Sequence, residues 1–395
     1  MSTTPPPAGP RPAPGHGEPA PHAAAATIPG SPSGSEGSEG SGAPAPARTA
    51  VIAAVALCLV VAAFFVSYAT AFGKPTVRDM TIAVSAPARI VAGLRAAGGV
   101  HPQPVADAAA ARAAVLHRRA DGAIAVQHGT HLTIYVAAGG GRSAEVALTA
   151  IGQQLATRLG TTAQVQDLAP LAPGDPSGSI EFYSIVLLTI GAALGATVMG
   201  RILGTVRRPI QLLERTITLL ACTALLAAII TWLADGAMHA LAGEPGQVFL
   251  VLWAYALAIG GAVTGVAAAL GIAGGVVLTI LLIIVGNPSS GGPVSTALLP
   301  AFFRTLNPYL PQGGGLWLLR DVVYFGSHEL TRGAVCLLAW GGSGLLLASI
   351  AVLGREIANR RTTKHRGSRD RAAGCSPQPA VAHPGRVRGQ AIRST

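Results

Sequence analysis

Charge is scarce in this sequence. Only 11% of the 395 residues are Asp, Glu, Lys or Arg and only 5% are aromatic, while half are hydrophobic. Soluble domains carry about 25% charged residues, so the composition argues against a freely soluble globular protein. A mean hydropathy of +0.49 points to a membrane protein. Cysteine is sparse too: Cys58, Cys222 and Cys336 sit in apolar runs and Cys375 in a basic tail. That placement offers neither a disulfide framework nor a Cys/His metal spacing. A phosphate-binding loop is also missing. Gly73-Lys74 is followed by Pro75, and Gly313-Gly314-Gly315 has no lysine, so any ATP consumed is hydrolysed by another chain. No cofactor motif is present, and no enzyme activity is expected. Span centres without Asp, Glu, Lys, Arg or His argue against a proton-driven carrier, which keeps an ionisable group in the bilayer; a sodium site built from carbonyls stays open.

What is present is a series of long apolar runs. The first covers about Ala50–Phe72, and others cover Ile180–Gly200, Thr216–Ala234 and Gly333–Leu353. Residues 248–285 contain no charge. As one helix they would reach about 57 Å, nearly twice the ~30 Å hydrocarbon core, so they divide into two spans with a turn near Ala267–Gly275. The expectation is an all-α polytopic membrane protein of six transmembrane helices. Ala69-Thr70-Ala71 has the form of a cleavage site, but the apolar run exceeds a signal peptide's 7–15 residues, so an uncleaved anchor is expected.

The remaining segments follow from composition. Residues 1–47, rich in Pro, Ala, Gly and Ser, are expected to be a disordered cytoplasmic tail. Residues 48–72 form the first span and 73–179 a small α/β extracytoplasmic domain. Within it, MTIAVSA is read as a strand and Ala88–Ala97 as a helix. A second helix covers Asp107–Arg119 with Asp107 as N-cap. GAIAVQ and HLTIYVA form a hairpin around His128-Gly129-Thr130, Ser143–Leu159 is a third helix and AQVQDLA the last strand. Residues 180–354 form a five-helix membrane domain, with an outer Gly/Pro-rich loop at 286–332.

Residues 355–395 are a basic disordered tail, with ten Lys or Arg against two acids. With Arg201, Arg207, Arg208 and Arg215 after the second span, this tail places both termini in the cytoplasm of a cell (plasma) membrane protein. The tail has no Phe, Trp or Tyr, which argues against nucleic acid as a partner; it either only fixes topology or also contacts anionic lipid. The loop Arg201–Ile217 mixes Arg207, Arg208 and Arg215 with Leu212 and Leu213. It is read either as a short amphipathic docking helix after Pro209 or as a topology anchor. Gly191/Gly195, Gly261/Gly265 and Gly271/Gly275 are small-xxx-small pairs that suit helix seams, and also arise by chance in a Gly-rich chain. Ser289, His328 and Asp321 can be assembled on paper as a triad but lack a GxSxG elbow, and co-occurrence explains them.

Two stretches carry a resemblance. One is VQDLAPLAPGDPSG, from Val165 to Gly178, running into Phe182-Tyr183. The other joins GNPSSGGP (Gly286–Pro293), LPAFFR (Leu299–Arg304), LPQG (Leu310–Gly313) and RDVVYF (Arg320–Phe325). Together they resemble the phage-infection-protein-like membrane proteins, related to type-2 ABC exporter permeases, over roughly residues 50–353. The resemblance implies a permease subunit moving hydrophobic or amphipathic cargo, as a homodimer or heterodimer with a separate ATPase subunit. It implies no catalytic residues. Arg207, Arg208, Leu212 and Arg215 are the expected ATPase-docking residues. Asn287, Pro288, Ser289, Ser290, Gly291, Gly292, Arg304, Arg320 and Asp321 are the expected outer gate, either a gating loop or a plain interfacial tie. Asn287-Pro288 is expected to end the fifth helix, since proline disfavours helix at the residue before it. The simplest type-2 permeases lack a large outer domain, so the alternative is a non-transporting envelope protein whose outer domain binds a ligand, phage or secretion partner.

Overall fold

In the computed structural model, residues 45–127, 131–202, 204, 209–241 and 243–373 are described. Among the described residues, six helices are long and apolar enough to cross a membrane: Ala47–Phe72, Ile180–Ile202, Ile210–Ala237, Pro245–Leu270, Ile272–Ser289 and Leu330–Ala358. The chain is a helical polytopic membrane protein, and an α/β domain lies between its first and second spans.

The first helix, α1, is Ala45–Phe72. The α/β domain follows as β1 (Met80–Ser85), α2 (Ala88–Ala96), β2 (Val100–Pro104), α3 (Ala108–Leu116), β3 (Gly122–Gln127), β4 (His131–Val136), α4 (Arg142–Leu159) and β5 (Thr162–Asp167). The sheet order is β2-β1-β3-β4-β5. β1 runs parallel to β2 and β3, β3 and β4 are antiparallel, and β4 is parallel to β5. The hairpin residues His128, Gly129 and Thr130 lie outside the described residues, but Gln127 pairs with His131 as expected on either side of them.

Alternating large and small residues explain how this sheet packs. Side chains alternate faces along a strand. Ile82, Val84 and Ile124 therefore point to one side, where Ile90 and Leu94 of α2 and Leu148 of α4 meet them. Ala83, Ala123 and Ala125 face the other side against Ala111, Ala114 and Val115 of α3. Asp107 caps α3 as expected, its Oδ1 accepting from the Ala110 N–H at 2.8 Å. Strand β2 was not expected, because Pro102 and Pro104 withdraw backbone donors; the structure accommodates them at the sheet edge.

The membrane helices are α5 (Ile180–Ile202), α6 (Pro209–Thr231, continued by a π-turn over Trp232–Ala237), α7 (Pro245–Leu270), α8 (Ile272–Leu281) and α12 (Leu330–Ala373). Helix α7 is central, packing against α5, α6, α8, α12 and the helix over Pro311–Tyr324. The turn expected in the 248–285 run is one residue, Gly271, at φ +82°. The expected Gly261/Gly265 seam is also present. A Cβ on Gly265 would lie 2.1 Å from the Gly344 carbonyl oxygen of α12, and one on Gly344 would lie 2.4 Å from that of Gly261. A Cβ on Gly191 would meet Leu226 of α6 at 3.4 Å, one on Gly195 would meet nothing within 4 Å, and one on Gly275 of α8 would lie 3.0 Å from Ala267 of α7.

Four expectations need correction. Helix α12 continues to Ala373, so residues 355–373 are helical rather than part of a disordered tail. Extending an existing helix adds one hydrogen bond per residue without a new nucleus. The segment after Pro209 is the first turns of the third span, not a separate amphipathic helix. The 286–332 segment is not an irregular loop: it holds α9 (Asn287–Ser289), α10 (Ala301–Leu306) and α11 (Pro311–Tyr324). Pro311 starts α11 at a position where its missing N–H costs nothing.

The fourth correction concerns Asn287-Pro288, which does not end the fifth span. The helix passes through a π-turn at Leu282–Gly286 and continues to Ser289. Side chains donate to carbonyls along this stretch. Gln312 donates to Leu282 O at 3.0 Å, Ser67 to Ile284 O at 2.5 Å and Ser289 to Val285 O at 2.7 Å.

Candidate functional site

The residues expected to form an outer gate, Arg304 excepted, converge beside the α/β domain and are locked together. Asn287, Pro288, Ser289, Ser290, Gly291 and Gly292 are all buried. Buried irregular backbone requires partners for every carbonyl, and two side chains supply four in a row. Asn307 Nδ2 donates to Ser289 O at 2.8 Å and Ser290 O at 3.0 Å. Arg320 Nη1 donates to Gly291 O at 2.9 Å, and Nη2 to Gly292 O at 3.1 Å. Arg320 Nη1 also reaches Gly140 O at 3.2 Å, tying the turn before α4 to the same loop. Burial pulls the Arg320 guanidinium below its ordinary range, while Glu181 opposes that shift.

Glu181 opens α5 and is buried. Its Oε1 accepts from the Tyr324 hydroxyl, whereas Oε2 has no partner. Burial, then the Glu181 charge, raises the Tyr324 hydroxyl, which stays protonated. Below it Asp175 caps α5, accepting from the Ile180 N–H at 2.6 Å.

A second latch comes from the α/β domain. Arg118 follows α3 with φ +53°. Its Nη1 donates to the Trp317 carbonyl at 2.7 Å and lies 3.7 Å from Asp321 Oδ1. Its guanidinium also sits 3.5 Å from the Trp317 ring centroid, and Arg332 lies 4.5 Å from the same ring. Burial pulls Arg118 down to about 9, against the opposing pull of Asp321. Asp321 accepts through Oδ2 from the Glu329 N–H at 2.9 Å. A small cavity of about 70 Å³ lies at this junction, lined by Arg118, Asp121, Ser290, Asn307 and Arg320.

Of the paper triad, Ser289 bonds Val285 O, His328 bonds Phe325 O and Asp321 bonds Glu329. Among the described residues no hydrogen bond joins the three. Arg304 stands apart from the gate residues, pairing with Asp79 at 3.2 Å. Sequence reasoning did not single out Arg118, Glu181, Asn307 or Gln312. Asn307 and Gln312 carried a usable signal, as uncharged polar groups among apolar neighbours.

The expected ATPase-docking residues are divided. Arg207 and Arg208 lie outside the described residues. Leu212 is half-buried, and Arg215 turns inward, donating to Ala196 O of α5 at 3.4 Å. Both line a different feature, a large apolar groove of about 770 Å³ bounded by α6, α7, α11 and α12. Its floor is small (Ala254, Gly261, Gly341) and its walls are leucines (Leu219, Leu250, Leu338). Small residues let the floor recede while leucines stand up around it. The groove can take a long apolar body and offers no groups for acid–base chemistry along its length. No protein-family model matches this chain, and neither a curated protein nor a solved structure does.

Proposed function

We propose that this chain is the membrane subunit of an exporter for hydrophobic or amphipathic cargo, driven by an ATPase on another chain. The observation that supports this reading is the apolar groove between α6, α7, α11 and α12. Surfaces of this kind bind apolar ligands by burying area, with a few polar groups setting orientation. The Arg-rich ends of the spans face the cytoplasm of the plasma membrane, which puts both termini inside and the α/β domain outside. With Arg215 turned inward, the ATPase meets the exposed start of α6 around Ile210, Leu213 and Glu214, and the permease works as a dimer.

Ala254 is exposed on the groove floor, so Ala254→Trp fills the groove without entering the core. Native vesicles carrying the chain are expected to export a lipophilic dye, Ala254→Trp to abolish export, and the tagged chain to co-purify with an ATPase. Export unaffected by Ala254→Trp, together with purification free of any ATPase, sinks this reading.

The Arg118 and Arg320 latches support a second reading, a non-transporting envelope protein whose outer domain is held rigidly to present a surface. Edge strand β5 exposes Val165 and is the surface on which an extended partner segment adds. That reading expects Val165→Pro to abolish capture of an envelope partner, with no dye export to lose.

A further inference from the structure

We propose that the groove binds an anionic membrane lipid, its headgroup against Arg215 and its acyl chain lying along α7. The proposal rests on the groove assigned above to cargo and names the class of molecule it takes.

Two independent observations carry it. The first is the state of Arg215, which sits five residues inside the third span, about 8 Å along the helix from Ile210. A long cationic side chain near a span end normally snorkels to the interface, but Arg215 is 4% exposed. Of its five donors, the guanidinium uses one, on Ala196 O at 3.4 Å near the C-terminal end of α5. Its Nε is buried without a partner, and none of the described ion pairs includes it. Gly200 leaves the guanidinium its space, since a Cβ there would lie 2.7 Å from Nη2. A charge held in low dielectric calls for an opposite charge, and among the described residues no ion pair supplies one.

The second observation is the groove's length and chemistry. Arg215 and Thr264 line it at one end, Gln247 and Ser327 at the other. Gln247 to Thr264 spans about 26 Å of α7, most of the ~30 Å hydrocarbon thickness. Between these ends the lining is leucine, valine, alanine and glycine. Arg215 is the one charged residue in that lining, so a ligand charged at one end and apolar along its chain matches this distribution. A phosphate-bearing headgroup matches the free donors of Arg215, because guanidinium presents paired N–H groups to phosphate oxygens.

The test uses the full chain in lipid nanodiscs with photoactivatable probes that differ only in headgroup. Phosphatidylglycerol and phosphatidic acid are the anionic probes; phosphatidylcholine and diacylglycerol are the uncharged or zwitterionic ones. In the wild-type chain both anionic probes are expected to label groove peptides of α6 and α12 about tenfold more than the other two. Arg215→Gln is expected to bring the four to parity, Arg215→Lys to keep most of the preference, and Ala254→Trp to remove labelling by all. Equal labelling in the wild type means ordinary bilayer lipid fills the groove and overturns the proposal. So does a preference that survives Arg215→Gln. The wild-type comparison stands even where Arg215→Gln fails to fold. An anionic preference without dye export keeps the lipid site and removes the exporter reading; dye export without the preference does the reverse.

Discussion

Ser67 of the first span donates to the carbonyl of Ile284 in the fifth, 2.5 Å away, and Ile284 lies four residues before Pro288. That carbonyl is the one a proline at 288 leaves without its helical donor. A side chain from another span thus repairs a break that proline makes, which is how proline is tolerated inside the bilayer. Ser67→Ala is expected to cost about 1–2 kcal/mol, the loss of a buried acceptor's partner. Pro288→Ala restores an N–H four residues on, so the same Ser67→Ala change is expected to cost less in that background. Thermal unfolding of the four proteins in detergent measures the difference, and equal costs in both backgrounds contradict the account.

The α7–α12 seam predicts a contrast between glycines. Gly265→Ala and Gly344→Ala each push a methyl into facing backbone, and helix separation is expected to cost about 2 kcal/mol or more. Gly195→Ala meets open space and is expected to be neutral or slightly stabilising, since alanine favours helix by about 1 kcal/mol over glycine. Melting temperatures of the three variants side by side test this.

Arg320 holds Gly140, Gly291 and Gly292 together. Arg320→Gln is expected to destabilise by about 3–5 kcal/mol, as buried carbonyls lose their donors and Glu181 its cationic neighbour. Arg320→Lys, a point charge without the fork, is expected to recover only part. Limited proteolysis at residues 286–292 reads the loss directly, and protection equal to wild type in Arg320→Gln refutes the clamp.

Asp121 predicts a pH dependence. Burial pushes its carboxyl up to about 6 from an ordinary 3.8, while the Thr81 N–H opposes the shift. Between those values the native chain holds a proton that the unfolded chain has lost, so stability falls as pH rises through the window and levels off above about 6. The loss is at most about 3 kcal/mol. Asp121→Asn keeps an acceptor for Thr81 and removes the titration, so it is expected to flatten the curve and gain on wild type at pH 7. Unfolding midpoints of both proteins from pH 4 to 7 decide it; parallel curves contradict it.

These features differ in how far the sequence announced them. Local pattern gave access to the six spans, to the Ile/Ala alternation of β1 and β3, to the Asp107 cap and to the turn now placed at Gly271. Each depends on neighbours within a few residues. Strand β2 and helix α11 were hidden because Pro102, Pro104 and three consecutive glycines carry poor intrinsic propensity, which tertiary packing overrode. Within α11, Gly315 admits the Tyr255 ring and Gly313 the Asn307 carbonyl, contacts that a Cβ would close off. The Arg118 latch joins residues 199 apart in sequence, and nothing near Arg118 points to Trp317. The outer segment reads in sequence either as a gating loop or as a plain interfacial tie. Its Ser and Gly residues suggest freedom, and only the distant donors Asn307 and Arg320 show it pinned. Arg215 reads in sequence as part of a docking element or a topology anchor, and only its contacts with Ala196 and Gly200 show it turned inward.

Helix α12 is 44 residues long, a rod of about 66 Å. Near its start Arg332 lies over the Trp317 ring, and further along Gly344 meets the backbone of Gly261 in α7. One continuous rod thus touches both the glycine seam and the ring that Arg118 grips, so a substitution that pries α12 off α7 is expected to be felt at Trp317 as well.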